Sequence, residues 1–328
     1  MATSSLHNLL EPAALIAHFL AHPPEGFQPL QIVGDTPAFA ADFDLLTTVE
    51  PAVRHRLEAL PGFAYWHRWL HPHTAFVGTT VSEYALLPVS IAPSEFVTAC
   101  LRLASDFPFV IIKDIPFDGE LVGAAAADYA ARLVEAGRAA GFLVVDGQAL
   151  AHVPIDFNDL DAYFARLSSG RRRDIRRKLR SRARLEIAEL ATGDPRFSDE
   201  VTLAEYYALY LNVYTQSEIH FDRLSPDFFR AILQDAACGG RVITYRSDGR
   251  LIGYNLCFIC GDALVDKYVG FDYPAARECN LYAVSWCHNI ELALRLGLRR
   301  YIAGWTAWNH LRGAAALAAA GSLTLALR

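Results

Sequence analysis

Three polar residues interrupt an apolar run: Asp266, Lys267 and Tyr268 lie between Ala263-Leu264-Val265 and Val269-Gly270-Phe271. A charge in a central strand is costly unless it is paired or faces a wet cleft. Strand alternation puts Asp266 and Tyr268 on one face and Lys267 on the other. Either one face looks into a reaction cleft, or the group is a buried ion pair or a solvated edge. A second group, Tyr214, Gln216, Glu218, His220 and Asp222, is polar at alternate positions, with Ile219 and Phe221 as anchors. Glu218 and His220 are candidate proton acceptors, since imidazole titrates near neutral pH. Ordinary loop hydrogen bonds are the competing reading for each.

Residues 171–184 read RRRDIRRKLRSRAR, nine basic residues and one acid in a chain of net charge −6. Arginine pairs with phosphate bidentately, so Arg172, Arg173, Arg176, Arg177 and Lys178 are candidates for a tRNA backbone or another phosphate-bearing ligand. An acidic membrane surface and an interdomain helix neutralised by the surplus acids elsewhere are the alternatives. His67, His71 and His73 form HRWLHPH, but no cysteine or carboxylate stands close by, and Cys257/Cys260 have no second pair to complete a zinc site. No metal is expected.

The elements that must position these residues alternate between strand and helix. Strands are expected at 27–33, 75–80, 84–91, 107–113, 141–145 and 151–156, and helices at 93–104, 119–140 and 158–167. In the basic segment Leu167, Ile175 and Leu179 share one side at helical spacing, and Ser168 or Ser169 is expected to cap it. Then follow a strand at 185–190, helices at 198–213 and 225–234, and a three-stranded meander at 241–246, 251–259 and 263–271. A long helix at 281–296 comes next, with Asn280 as N-cap and Gly297 as stop, and a final strand at 300–303. At 328 residues and 53% hydrophobic, the chain is long enough for two domains. No long uninterrupted apolar run and no basic stretch ahead of an apolar N-terminus appear, so neither a membrane span nor a secretory signal is expected. Six cysteines without a disulfide pattern suggest a reduced, cytoplasmic setting.

The order helix, helix, meander, long helix, strand resembles the core of the GNAT acyltransferase superfamily. Three motifs sharpen the likeness: SSGRRRDIRRKLR at 168–180, YTQSEIHFDRLSPDFF at 214–229 and DKYVGFDYPAARECNLY at 266–282. They resemble the FemAB-like or BioF2-like branch, a peptidoglycan biosynthesis or recognition family. The resemblance implies an α/β fold of two tandem GNAT-like domains. Residues 1–156 would be a degenerate first domain, 157–184 a basic interdomain segment and 185–328 the catalytic domain. It also implies N-acyl transfer from acyl-CoA, or aminoacyl transfer from aminoacyl-tRNA, to a small-molecule or peptide amine. Asp266 or Tyr268 would then stand near the reacting amine, with Lys267 as a donor to an oxyanion or phosphate. Residues 271–280, FDYPAARECN, occupy the place where the fold cradles the donor's pyrophosphate, and Arg277 and Asn280 would contact it. The glycine-rich loop is missing there. Residues 309–328, NHLRGAAALAAAGSLTLALR, replace the lysine-containing strand and basic tail usual in relatives. Trp305 and Trp308 either line a cleft or close the core. A non-catalytic protein that recognises a phosphate-bearing cell-wall precursor or RNA through the arginine helix is the alternative.

Overall fold

The computed structural model describes residues 6–7, 10–47, 49–116, 119–147, 150–217, 221–304, 317–318 and 323–327. Two sheets organise them, and they repeat one plan. In the first, Gln28–Gln31, Pro37–Asp42 and His73–Val77 run antiparallel in turn, the helix Pro93–Arg102 crosses over, and Phe109–Ile115 returns parallel to His73–Val77. In the second, Glu186–Ala191, Arg241–Ser247, Arg250–Cys260 and Ala263–Phe271 form the antiparallel run. There the helix Leu281–Arg295 crosses over, and Arg300–Gly304 returns parallel to Ala263–Phe271. A crossover helix between parallel strands is what parallel pairing requires.

Each sheet takes its next strand from the other half of the sequence. Ala151–Pro154 pairs antiparallel with Arg300–Gly304 in the second sheet. Leu323–Leu327 sits between Phe109–Ile115 and Leu143–Asp146 in the first. The halves also share apolar packing, in which Phe19, Phe39 and Phe76 cluster with Phe228, Phe229 and Tyr254. Phe221 binds them together, its ring 5.1 Å from Phe27 and 5.2 Å from Phe76.

The helix Glu200–Gln216 covers one face of the second sheet so closely that Gly270 is required under it. A Cβ there would stand 2.2 Å from Tyr254 Cε1 and 2.9 Å from Leu209 Cβ. On the other face, Leu281–Arg295 is buried on nearly all sides, as a helix must be when it has the sheet on one side and Ser169–Leu179 and Leu160–Ala165 on the other. Ile175 and Leu179 pack into that layer with Leu167, as their spacing predicts.

Several local expectations differ. The strand expected at 84–91 shrinks to Leu87–Pro88, which finds only the two-residue partner Leu6–His7. The helix expected at 119–140 breaks at Gly123, whose φ of 83° is outside helical space, into Gly119–Val122 and Ala124–Ala139. Ser168 and Asn280 stand at helix N-caps, but neither side chain makes a capping hydrogen bond. Asn280 is left-handed, with φ 50°: its N–H closes the short helix Tyr273–Glu278 on the Arg277 carbonyl while its own carbonyl opens the next helix. One residue ends one helix and begins another, so the backbone makes the junction that side-chain capping was expected to make.

Candidate functional site

The strands Ala263–Phe271 and Arg300–Gly304 pair only from Ala263/Arg300 to Val265/Ile302, although both continue. Each carries an extra residue just beyond. Leu256 faces Tyr268 and Cys257 faces Asp266, which leaves Lys267 as a bulge; Ile302 faces His152 and Gly304 faces Ala151, which leaves Ala303. Bulges bend a strand and re-aim its side chains. The two strands part here, and a cavity of about 310 Å³ opens against the gap, lined by Asp266, Val269, Phe271, Tyr301 and Ala303.

The bulge at Lys267 also shifts the alternation, which corrects the expected faces. Asp266 and Val269 turn toward the long helix and the cavity, whereas Lys267 and Tyr268 both turn toward the first half of the chain. Lys267 Nζ lies 2.6 Å from Glu83 and 3.5 Å from Glu11, all three side chains almost wholly buried. Burial works against its charge, but the two carboxylates outweigh it and hold its pKa above the usual lysine value. Glu11 is pushed up to about 7, chiefly by burial. Lys267 is therefore engaged in an ion cluster between the halves and does not line the cavity. Tyr268 packs its ring against Phe228 and Phe229, and its buried hydroxyl has no partner among the described residues. Glu218 and His220 lie outside the described residues, as do Trp305, Trp308 and most of the segment 309–328.

Asp266 is the buried acid that reaches the cavity. Asn255 Nδ2 donates to both of its oxygens at 3.0 and 2.8 Å, Asn289 Nδ2 to Oδ2 at 2.9 Å, and the Tyr301 hydroxyl to Oδ2 at 2.9 Å. The Cys257 thiol stands 3.5 Å from Oδ1. Burial drives Asp266 up to about 6, and the hydrogen bonds restrain the rise. Tyr301 and Cys257 are raised well above their ordinary values by the same burial, so they stay protonated and donate. The acceptor oxygens of Asn255 and Asn289 are buried without a partner among the described residues. Sequence reading missed these four. The signal was the one that exposed Asp266, a polar residue inside an apolar run: Asn255 in LIGYNLCFIC, and Asn289 in the middle of a buried helix.

The basic helix contributes one stripe to the cavity: Arg171, Asp174, Ile175 and Lys178, at helical spacing. The arginines singled out for phosphate lie elsewhere on it. Arg176 pairs with Asp161 at 2.7 Å and Arg177 with Asp174 at 2.7 Å, and Arg173 is exposed. At the rim, Arg277 lies 5.4 Å over the Tyr273 ring and 3.3 Å from Gln216 Oε1; both neighbours line the cavity, whereas Arg277 and Asn280 do not. Among the described residues no His/Cys/Asp/Glu group has a metal-binding arrangement, and His73 instead bonds Asp42 at 2.9 Å. No described helix is long and apolar enough to cross a membrane.

Residues 169–310 match the family model of the acetyltransferase (GNAT) domain. No curated protein sequence matches the chain. Among solved structures, FemX superposes with a TM-score of 0.52 at 11% identity, covering 99% of this chain and 96% of its own. The C-terminal domain of a protein described as a lysylphosphatidylglycerol synthetase from Agrobacterium fabrum gives 0.52 at 12% identity, covering 92% of this chain and 75% of its own. A tandem GNAT protein from the clavulanic acid biosynthesis pathway gives 0.50 at 11%, covering 96% and 87%. At these identities the likeness is one of fold, and it is the tandem fold that the two matching sheets display. Residues 169–310 are thus similar to the acetyltransferase (GNAT) domain, within a chain whose fold is like that of FemX.

Proposed function

We propose that the protein transfers an acyl group to an amine, with Asp266 accepting the amine's proton. One observation carries the reading: a cavity-lining carboxylate with a pKa near 6 stands beside the unpartnered Oδ1 of Asn255, a cluster of acceptors that suits an N–H donor. Above pH 6 the carboxylate is ionised, and near neutral pH it is matched to general-base work. The amine nitrogen bonds to the acyl carbonyl carbon, and the bond from that carbon to the donor's sulfur or oxygen breaks. The nitrogen's proton passes to Asp266 and from there, through water, to the leaving sulfur or oxygen, which restores the carboxylate. Holding the reactants together supplies roughly 7–11 kcal/mol, more than the ~10²–10⁴-fold of a single base, so the site can be chemically sparse.

Both candidate donors, acyl-CoA and aminoacyl-tRNA, carry phosphates. In this reading Arg171 and Lys178 at the cavity meet them, with Arg277, Arg173, Arg176 and Arg177 further out and Asn280 at the helix start. GNAT domains in general use acyl-CoA. Here, however, the N–H groups of Cys279 and Asn280 are already bonded to the carbonyls of Ala275 and Arg277, which narrows a pyrophosphate cradle. That contraction, and the fold shared with a protein described as a lysylphosphatidylglycerol synthetase, favour an aminoacyl ester donor. We assign catalysis to 185–328, support to 1–156 and the donor-facing helix to 157–184, in a cytoplasmic setting that suits its free cysteines. The test is turnover of acyl-CoAs and of a charged-tRNA mixture with amine acceptors, by wild type and Asp266→Asn. A fall of about 10²–10⁴-fold in the variant with its fold intact is expected. Unchanged turnover in Asp266→Asn overturns the role of Asp266, and no turnover of either donor favours a recognition protein.

A further inference from the structure

Between Pro37–Asp42 and His73–Val77 the chain forms two short helices, Pro51–Glu58 and Phe63–Trp66, and the 3-10 turn His67–Leu70. From residue 52 to residue 70 not one side chain is buried. The segment is nonetheless rich in apolar surface: Tyr65 is 81% exposed, Trp69 72% and Leu60 48%, beside half-buried Phe63 and Trp66. Local contacts order it. Phe63 meets Trp66 edge-on at 4.9 Å and stacks on His67 at 5.6 Å, Trp66 Nε1 donates to the Pro61 carbonyl at 3.4 Å, and the Arg68 guanidinium lies 5.7 Å from the Trp69 ring centre. Large apolar side chains held in the open on one short segment mark a contact surface.

The charge on the segment indicates what meets it. Residues 51–70 carry Arg54, Arg56 and Arg68 against one acid, Glu58, in a chain of net charge −6. Arg54 is paired with Glu58 and Asp44, whereas Arg56 and Arg68 make no ion pair among the described residues. Indole and phenol rings flanked by guanidinium groups suit the boundary of a bilayer, with ring bodies against the acyl chains and cations among the phosphates. We propose that residues 51–70 dock the protein on an anionic lipid surface. The root of the segment supports a working position for it. Leu45 N–H bonds the Leu70 carbonyl at 2.9 Å, and the Phe43 ring lies 5.5 Å from that of Phe221, shortly beyond Ser217 on the cavity wall. The docking role holds whatever reaction the cavity runs.

The test is cosedimentation of the full-length protein with phosphatidylcholine vesicles that contain or lack phosphatidylglycerol, at low and high salt. Wild type, Tyr65→Ser/Trp69→Ser and Arg56→Glu/Arg68→Glu are compared, and unfolding temperature serves as the check on fold, which exposed residues should leave unchanged. Binding to the anionic vesicles is expected to exceed binding to the neutral ones by about tenfold or more, to weaken in salt, and to drop by about tenfold in each double variant. Absence of binding, equal binding to both compositions, or variants that bind like wild type would overturn the proposal. So would a concentration-dependent dimer that Tyr65→Ser/Trp69→Ser abolishes in a protein that ignores vesicles, which would give the patch to a second copy of the chain.

Discussion

Tyr301 donates its hydroxyl to Asp266 Oδ2 at 2.9 Å, from the last stretch in which its strand still pairs with Asp266's own. The bond holds down a carboxyl that burial would otherwise push higher. In Tyr301→Phe, Asp266 should therefore ionise at a higher pH. If Asp266 is the base, activity needs its ionised form, so the acid limb of the pH–rate profile should move upward by about one unit, the equivalent of about 1.4 kcal/mol. A profile that stays in place while the maximal rate falls would limit Tyr301 to packing against Trp286, whose ring meets it edge-on at 5.0 Å.

Glu11 predicts an unusual dependence of stability on pH. Its carboxyl ionises near 7 in the folded protein against an ordinary 4.5. Between those values the folded chain keeps a proton that the unfolded chain releases, so the contribution of this group is full below about 4.5 and is lost as pH rises toward 7. Glu11→Gln cannot titrate. Denaturant unfolding at pH 5 and pH 7.5 should show the stability difference between variant and wild type moving in the variant's favour at the higher pH, by roughly 1–3 kcal/mol. A difference that is the same at both values would contradict the assignment.

Gly270→Ala should destabilise the fold by about 1–3 kcal/mol, since a Cβ would collide with Tyr254 and with the helix residue Leu209. Thermal unfolding reads this directly. No loss of stability would mean that the helix can shift without cost.

If Arg171 and Lys178 bind the donor's phosphates, Lys178→Ala should raise the KM for the donor several-fold, on the order of 1 kcal/mol, and leave kcat nearly unchanged, the signature of lost uniform binding. Lys178 already shares its charge with Asp174 at 2.8 Å, which is why the effect stays modest. An equal fall in kcat would move Lys178 to the reacting centre.

The second half of the fold was legible because its signals are local. Turns at Ser247-Asp248-Gly249 and Gly261-Asp262 separate strands of clear composition, and Gly297 ends the long helix. Asp266 was legible for the energetic reason that a carboxylate inside an apolar strand demands an explanation. Its face relative to Tyr268 was not, because the bulge at Lys267 is set by pairing with Leu256 and Cys257, which no pattern within the strand itself records. The partners of Lys267 were hidden for the same reason: Glu11 and Glu83 come from the other half of the chain. On the basic helix, composition showed that charge is concentrated but not which side chains are already neutralised. Asp161, fifteen residues away, takes Arg176, and Asp174 within the helix takes Arg177.

The strand Leu323–Leu327 fills the first sheet between two strands that are synthesised far earlier, Phe109–Ile115 and Leu143–Asp146. During translation, which proceeds at about 5–20 residues per second, the first half therefore emerges with two strand edges open and must wait for residues 323–327. Until then those edges can pair with any other extended segment that reaches them. The second sheet waits less, since Ala151–Pro154 is already made when Arg300–Gly304 arrives and only the short edge strand Leu317–Ala318 follows. A nascent chain truncated after residue 304 should thus hold a second sheet that lacks only the two-residue edge strand Leu317–Ala318, beside a first sheet whose open edges stay exposed to misassembly until residues 323–327 arrive.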